Sequence, residues 1–76
     1  MIRCKFDRLR REKALRENRD LSLRQVAQET GLAIATIQRL NRTNPERVYL
    51  STLDTLCRYF GTAALSELLE YIPDDI

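Results

Sequence analysis

The side chains best suited to recognising a flat, hydrogen-bonding partner lie close together, at positions 38, 39 and 42. Gln38 carries an amide that donates and accepts, and Arg39 and Arg42 carry guanidinium forks that only donate. A glutamine amide fits the edge of adenine with two hydrogen bonds and an arginine fork fits guanine, and each good pair gives about 1–3 kcal/mol of discrimination between bases. The chemistry that these residues predict is readout of base edges.

Apolar residues precede these polar ones and belong to the same predicted surface. Ile34 and its alanine neighbours can make only apolar contacts, for example with thymine methyl groups. An exposed isoleucine is unusual on such a surface, so a core position in a shifted register is the alternative interpretation of Ile34. The predicted base-contacting residues are Ala33, Ile34, Ala35, Gln38, Arg39 and Arg42.

Contacts to a phosphate backbone are predicted on either side of this surface. A helix that starts at residue 23 offers unpaired backbone N–H groups to an anion, with polar side chains beside them. The polar loop after residue 42 adds donors on the other side, and such contacts position a protein without reading sequence. The predicted phosphate-contacting residues are Ser22, Arg24, Gln25, Thr36, Thr43, Asn44 and Arg47, with Arg16 and Arg19 as further candidates.

The elements that must position these residues form a helix-turn-helix pattern over residues 23–42. Two helices that cross steeply need a small residue at their closest approach, which Ala27 provides, and a residue with positive φ in the turn, which Gly31 provides. Apolar residues at the inner corner complete the pattern: Val26, Leu32, Ile37 and Leu40. The alternative interpretation is an ordinary corner between two helices of some other helical domain.

Helices are predicted along the whole chain, which favours an all-α fold with five helices in one domain, residues 1–76. They cover residues 3–18, 23–30, 34–42, 52–60 and 63–71. Pro73 prevents further extension of the last helix. No alternating strand pattern of useful length is visible, and residues 15–20 are consistent with either a helical extension or a loop.

Two of the predicted helices have candidate N-caps. Ser22 precedes the second helix, with Gln25 three residues later to close a capping box. Ser51 precedes the fourth helix, with Asp54 in the corresponding position and Gly61 at the other end.

The composition excludes several classes of function. The chain has 76 residues, no His and two Cys, which are too few ligands for a structural zinc and lack the spacing of a redox motif. No acid pair or base beside a cysteine suggests catalysis, so we expect neither an enzyme nor a cofactor. The N-terminus has no apolar signal segment, so we expect a cytoplasmic protein with reduced thiols.

The charge is unevenly distributed although the net charge is only +2. Residues 1–19 contain eight Lys or Arg against three acids, residues 20–47 four against three, and residues 48–76 one against five. The basic half is predicted to face a polyanion.

The chain resembles the Cro/cI repressor family, also called the Xre family, in its compact single-domain branch. The residues that carry the resemblance are 1–4, 7–9, 12–13, 21–31, 53–57 and 68–74. The resemblance implies a five-helix lambda-repressor-like fold, operator binding by a recognition helix in the major groove, and usually a homodimer. It also implies that the source is a prokaryote or a phage. A DNA-binding transcriptional repressor is therefore the leading hypothesis.

The sequence departs from the family pattern in three places. Residues 15–20 lengthen the first helix or its loop, and Leu32-Ala33-Ile34-Ala35 stands where family members begin the recognition helix with Ser, Thr or Asn. Asn41 replaces an acid that often pairs with an arginine of the first helix, so that ion pair is expected to be absent. The second departure keeps an alternative open: a protein-interaction module of the antitoxin or phage-adaptor type, which retains the fold without operator binding.

Apolar residues near the C-terminus exceed what a small core needs, and we interpret them as candidates for a two-fold dimer interface. These are Leu65, Leu68, Leu69, Tyr71 and Ile72. The alternative is that this segment folds back over the first and fourth helices. The predicted partners are double-stranded DNA and a second copy of the chain, with no membrane and no small-molecule ligand.

Overall fold

Four α-helices and a small terminal sheet make up the computed structural model, which describes residues 1–42 and 45–74. The elements in chain order are β1 (Ile2–Cys4), α1 (Phe6–Glu17), α2 (Leu23–Thr30), α3 (Ile34–Arg42), α4 (Leu50–Phe60), a 3-10 helix (Leu65–Glu67) and β2 (Leu69–Tyr71). The prediction of five α-helices is therefore wrong by one, and the fold is mostly rather than purely helical.

The α2–α3 pair follows the sequence prediction closely. The Ser22 hydroxyl accepts a hydrogen bond from the Gln25 backbone N–H at 3.1 Å, as expected of an N-cap. Gly31 ends α2 with φ of 77°, and its N–H donates to the carbonyl of Ala27. This backbone conformation favours glycine, so the turn residue was correctly identified.

The two ends of the chain pair as an antiparallel sheet, which the sequence did not indicate. Arg3 lies opposite Glu70, with their charged groups 2.8 Å apart, and Cys4 lies opposite Leu69. The predicted helices over residues 3–18 and 63–71 are both wrong at these positions. Each strand has three residues, too few for a visible alternation, and its hydrogen-bonding partner is more than sixty residues away in the chain.

Residues 15–20, for which a helical extension and a loop were both open, are divided: residues 15–17 belong to α1 and residues 18–20 form a loop. The helix ends at Glu17, and Asn18 adopts a left-handed conformation with φ of 54°. Asparagine tolerates this conformation better than most residues, so Asn18 ends the helix as glycine does elsewhere.

The start of α4 also differs from the prediction. Tyr49 occupies the N-cap position without a side-chain cap, whereas Ser51 lies inside the first turn. Val48 packs against the core, so the chain turns into the helix directly after it. Asp54 pairs with Arg58 on the next turn instead of closing a capping box. The predicted end at Gly61 is confirmed, with φ of 70°.

The core lies where the four helices and β2 meet. Phe6 of α1 and Phe60 of α4 contact edge to face, with ring centroids 5.6 Å apart. The buried apolar residues are Phe6, Leu21, Val26, Ala27, Ile37, Leu40, Leu53, Leu56, Phe60 and Leu68. Leu68 is 0 % exposed within a single chain, so its assignment to a dimer interface is corrected to a place in the core.

Candidate nucleic-acid interface

The helix α3 divides cleanly into a buried and an exposed face. Ile37 and Leu40 are 0 % and 4 % exposed and pack into the core, and Leu32 packs against the same cluster. At about 100° per residue, the exposed positions of the helix fall within an arc of about 140°. In order around the helix they are Ile34, Gln38, Arg42, Ala35 and Arg39.

This arc brings together five of the six predicted base-contacting residues, and Ala33 is exposed just before the helix. Ile34 is 40 % exposed and does not belong to the buried cluster, so its interpretation as a core residue is wrong. An isoleucine and two alanines therefore remain at the exposed N-terminal end of α3, ahead of the polar residues.

At the start of α2, polar side chains surround the unpaired N–H groups of the helix. Ser22 and Arg24 are exposed, as contacts to a backbone phosphate require. The Gln25 amide does not close a capping box with Ser22. Its amide N–H donates to Glu29 at 2.7 Å, one turn further along the helix, a charge-assisted hydrogen bond that orients the Gln25 side chain along α2.

Arg19, a further candidate for phosphate contact, lies at the surface but forms salt bridges with two acids of the same chain. Its guanidinium donates to both oxygens of Glu29, at 2.6 and 2.8 Å, and also to Glu17. Arg16 has no carboxylate partner among the described residues and is exposed. The two arginines predicted as a pair therefore have different environments.

Glu29 is the centre of a network that sequence reasoning did not find. Besides Arg19 and Gln25, it accepts a hydrogen bond from the Tyr59 hydroxyl at 2.7 Å. Lys13 extends the network, because its ammonium lies 4.6 Å from the centre of the Tyr59 ring and 2.7 Å from Glu17. The network joins α1, the loop that follows it, α2 and α4, and its members are spread too widely in sequence to form a motif.

The network perturbs the acids and bases within it. The hydrogen bond from Arg19, followed by those from Gln25 and Tyr59, holds the pKa of Glu29 well below its usual range. Partial burial raises the pKa of Tyr59, and the neighbouring Glu29 carboxylate raises it further. Glu29 is therefore ionised at neutral pH and Tyr59 is protonated, which is the state in which Tyr59 can donate.

The basic side chains fall into two sets according to whether an acid of the same chain neutralises them. In the first set, an arginine or lysine forms a salt bridge within the described residues: Arg3, Arg8, Arg10, Arg11, Lys13, Arg19 and Arg58. In the second set, no carboxylate partner is found in residues 1–42 and 45–74: Lys5, Arg16, Arg24, Arg39, Arg42 and Arg47. All the arginines of α2, α3 and the segment before α4 belong to the second set.

A groove of about 580 Å³ lies between α3 and the start of α4. Arg39 and Arg47 border it, with Thr36 on the same face of α3 as Arg39, and its lining within the described residues includes no acid. Tyr49, at its edge, is 82 % exposed and Leu50 beside it is 81 % exposed. The only sequence signal for this pair is a short apolar run, residues 48–50, of which the core uses one side chain.

Two buried side-chain atoms lack a hydrogen-bond partner within the described residues: Arg10 Nε and Asn41 Oδ1. Arg10 donates through its other nitrogens to Asp7 and to the carbonyl of Leu21.

The remaining predicted contacts are partly outside the described residues. Thr43 and Asn44 lie there, and Arg47 is exposed on the far side of that gap. In the described part of the chain no group of three or more His, Cys, Asp or Glu could hold a metal ion. None of the described helices is long and apolar enough to cross a membrane.

Comparison with known families gives a match over most of the chain. The model of a Cro/C1-type helix-turn-helix DNA-binding domain matches residues 6–74, nearly the whole 76-residue chain. Comparison with curated protein sequences and with solved structures yields no significant match.

Proposed function

The chain belongs to the Cro/C1-type helix-turn-helix DNA-binding family, and we propose that it is a sequence-specific transcriptional regulator that acts as a repressor. In this proposal, α3 enters the major groove and its exposed arc faces the base edges. Binding at an operator then excludes other proteins from the same DNA.

The observation that carries the proposal is the exposed arc of α3 together with its unpaired arginines. Ile37 and Leu40 fix the orientation of the helix, so Gln38, Arg39 and Arg42 can only point away from the core. No acid of the described chain neutralises the two arginines, which leaves their forks available to an external acceptor. Within α2 and α3 the only acid is Glu29, and its oxygens are already occupied.

Phosphate contacts on either side of α3 would fix its register on the duplex. Ser22, Arg24 and the backbone N–H groups at the start of α2 serve one strand. Thr36 and Arg47 lie toward the start of α4 and serve the other. Arg19 is left out of this proposal because Glu29 and Glu17 occupy its guanidinium.

We further propose that two chains bind together through the terminal sheet. Leu65 and Tyr71 are 48 % and 68 % exposed, and Ile2, the cross-strand neighbour of Tyr71, is 51 % exposed. Leu69 and Ile72 are partly buried beside them. A two-fold contact between such surfaces would cover apolar area and place two α3 helices on half-sites about one turn apart.

The experiment that tests the regulatory role is selection of bound duplexes from a random DNA pool, followed by titration of a selected duplex and a scrambled one. We expect enrichment of a motif with two half-sites and at least about a thousandfold preference for it. Binding without any preference would reject sequence-specific regulation. Loss of a protein partner on Ile34→Asp, with DNA binding unchanged, would instead support the interaction-module alternative.

Analytical ultracentrifugation tests the dimer. Tyr71→Asp, which puts a charge at the centre of the exposed apolar surface, should shift the protein from dimer to monomer. The matched substitution Tyr49→Asp, on the other exposed tyrosine, should leave the dimer intact. A wild-type protein that is monomeric at every concentration would contradict the proposed interface.

A further inference from the structure

The groove between α3 and the start of α4 combines a buried floor with two arginines and, among its described lining residues, no acid. Its floor is formed by buried side chains, Leu40 at 4 % and Thr52 at 6 % exposed. Its rim carries two arginines from different elements, Arg39 from α3 and Arg47 from the segment before α4. The groove is therefore cationic and shaped in advance of any ligand.

The charge of the groove selects an anion. Among the described residues, neither Arg39 nor Arg47 has a carboxylate partner and no acid lines the groove. An arginine fork pairs well with the oxygens of a phosphate, and two forks facing one groove can hold a single phosphodiester from both sides. The hydroxyl of Thr36, one turn before Arg39 on α3, lies in the same lining and can donate to it.

The position of Arg39 on its helix favours a contact with the DNA backbone rather than with the base edges. In the exposed arc of α3, Arg42 and Ala35 occupy the middle and Arg39 the edge that adjoins Thr36 and the groove. Gln38 lies toward the opposite edge. An α3 helix centred over the base edges would therefore direct Arg39 toward the backbone.

Tyr49 gives the groove an apolar edge. Its ring is 82 % exposed although it contributes to no buried cluster, and it stands directly beside the cationic rim. A sugar–phosphate backbone presents an apolar sugar face next to each charged group. An aromatic ring next to two arginines matches that alternation.

We propose that this groove binds one phosphodiester of the DNA backbone, held between Arg39 and Arg47, with Tyr49 packed against the adjoining sugar. The inference rests on the proposed DNA binding and refines it: Arg39 positions the protein, and base readout falls to Gln38 and Arg42. A residue that contacts phosphate weakens binding to all sequences alike, whereas a base reader changes the preferred sequence.

The test measures affinity for a mixed-sequence 24-base-pair duplex and for a selected duplex, across a salt series, with Arg39→Gln, Arg47→Gln and Tyr49→Ala. Each arginine variant should reduce the slope of log affinity against log salt by about 0.9. The selected-to-mixed preference should stay within about twofold of the wild type, in contrast to Gln38→Ala, which loses preference at one position. Because Arg39 and Arg47 share one phosphate, the double variant should lose less than the product of the two single losses.

Matched controls come from the same chain. Arg58→Gln removes an exposed arginine that an acid already neutralises, and Leu15→Ala removes an apolar side chain of α1 that is exposed as fully as Tyr49 and lies outside both proposed interfaces. Neither should change the salt slope for the mixed-sequence duplex, whereas Tyr49→Ala should weaken binding several-fold and Tyr49→Phe should not.

The possible failures are distinguishable. A wild type that binds no duplex rejects both the proposed function and the groove. In a second outcome the wild type binds DNA, and Arg39→Gln changes the preferred base but leaves the salt slope unaltered. That outcome would assign Arg39 to base readout and contradict the groove proposal without contradicting the proposed function. Unchanged binding by Tyr49→Ala overturns the assignment of the sugar contact.

Discussion

The basic residues of α1 and those of the helix-turn-helix differ in what surrounds them, although both are predominantly arginines. The N-terminal nineteen residues carry the larger positive charge, eight Lys or Arg against three acids. Most of these form salt bridges with their own neighbours, as Arg8 does with Glu12 and Arg11 with Asp7. By contrast, Arg24, Arg39 and Arg42 have no such partner in the described residues. If the proposed DNA-binding surface is right, net charge along the sequence misplaces it, because the proposal depends on charge left without an internal partner.

The first prediction tests this contrast with the largest expected effect. Replacing Arg39 and Arg42 together by Ala should weaken binding to a selected duplex by about tenfold to a hundredfold, because each arginine loses a bidentate or charged contact. Unfolding temperature should hardly change, since both side chains are exposed. Fluorescence anisotropy with a labelled duplex measures the affinity.

The paired control for this variant is Arg8→Ala with Arg11→Ala, which removes the same charge from α1. It should leave affinity within about twofold, because its arginines are already neutralised. Equal losses for the two double variants would show that binding follows net charge and would remove the distinction.

The second prediction concerns the network around Glu29, where paired charge is expected to stabilise the fold. Tyr59→Phe removes one hydrogen bond to an ionised carboxylate and should lower the free energy of unfolding by about 1 kcal/mol. For a chain of this size that corresponds to a fall of about 4–8 °C in Tm. Thermal unfolding followed by circular dichroism measures it, with Tyr49→Phe as the matched control. An unaltered Tm would mean that Glu29 gains nothing from Tyr59.

The third prediction is the pH dependence that this network imposes. Hydrogen bonds lower the pKa of Glu29 in the folded state below its unfolded value of about 4.3, so the unfolded state takes up the proton first. The stabilising contribution is therefore complete above that value and is lost progressively as pH falls below it. Urea unfolding at several pH values should show this loss, and Glu29→Gln should flatten the dependence. Equal steepness in both proteins would contradict it.

The smallest effect is expected for exposed salt bridges outside the network. Arg58 pairs with Asp54 one turn earlier on α4, and both side chains are largely exposed, 77 % and 63 %. Arg58→Ala should change the free energy of unfolding by no more than about 0.5 kcal/mol, because solvent screens such pairs. A larger loss of stability would show that exposed salt bridges outside the network also stabilise the fold.

The sequence predicted the helix-turn-helix almost to the residue because its signals are local. Gly31 must adopt positive φ, Ser22 caps the helix that follows it, and the apolar spacing of Ile37 and Leu40 defines the buried face. The terminal sheet could not be predicted in this way. Ile2–Cys4 and Leu69–Tyr71 are stable as strands only through each other, and nothing in either segment specifies a partner so far along the chain.

The candidate site shows the same limit. The types and spacing of Gln38 and Arg42 placed them correctly on the exposed arc of α3. Arg19 was placed with the phosphate contacts because sequence shows its charge and not the carboxylate of Glu29, ten residues away, that occupies it. Tyr49 was missed because its significance is its exposure beside a groove that forms only when α3 and α4 pack together.

The most direct test of the account compares two fourfold variants with the same net charge. One replaces the unpaired arginines Arg24, Arg39, Arg42 and Arg47 by Gln, and the other replaces the paired arginines Arg3, Arg8, Arg11 and Arg58. For binding to a mixed-sequence duplex, we measure the slope of log affinity against log salt. In the first variant this slope should be smaller by between about two and four, and in the second it should stay near the wild-type value. The same loss of slope in both would contradict the claim that arginines left without an internal partner form the DNA-binding surface.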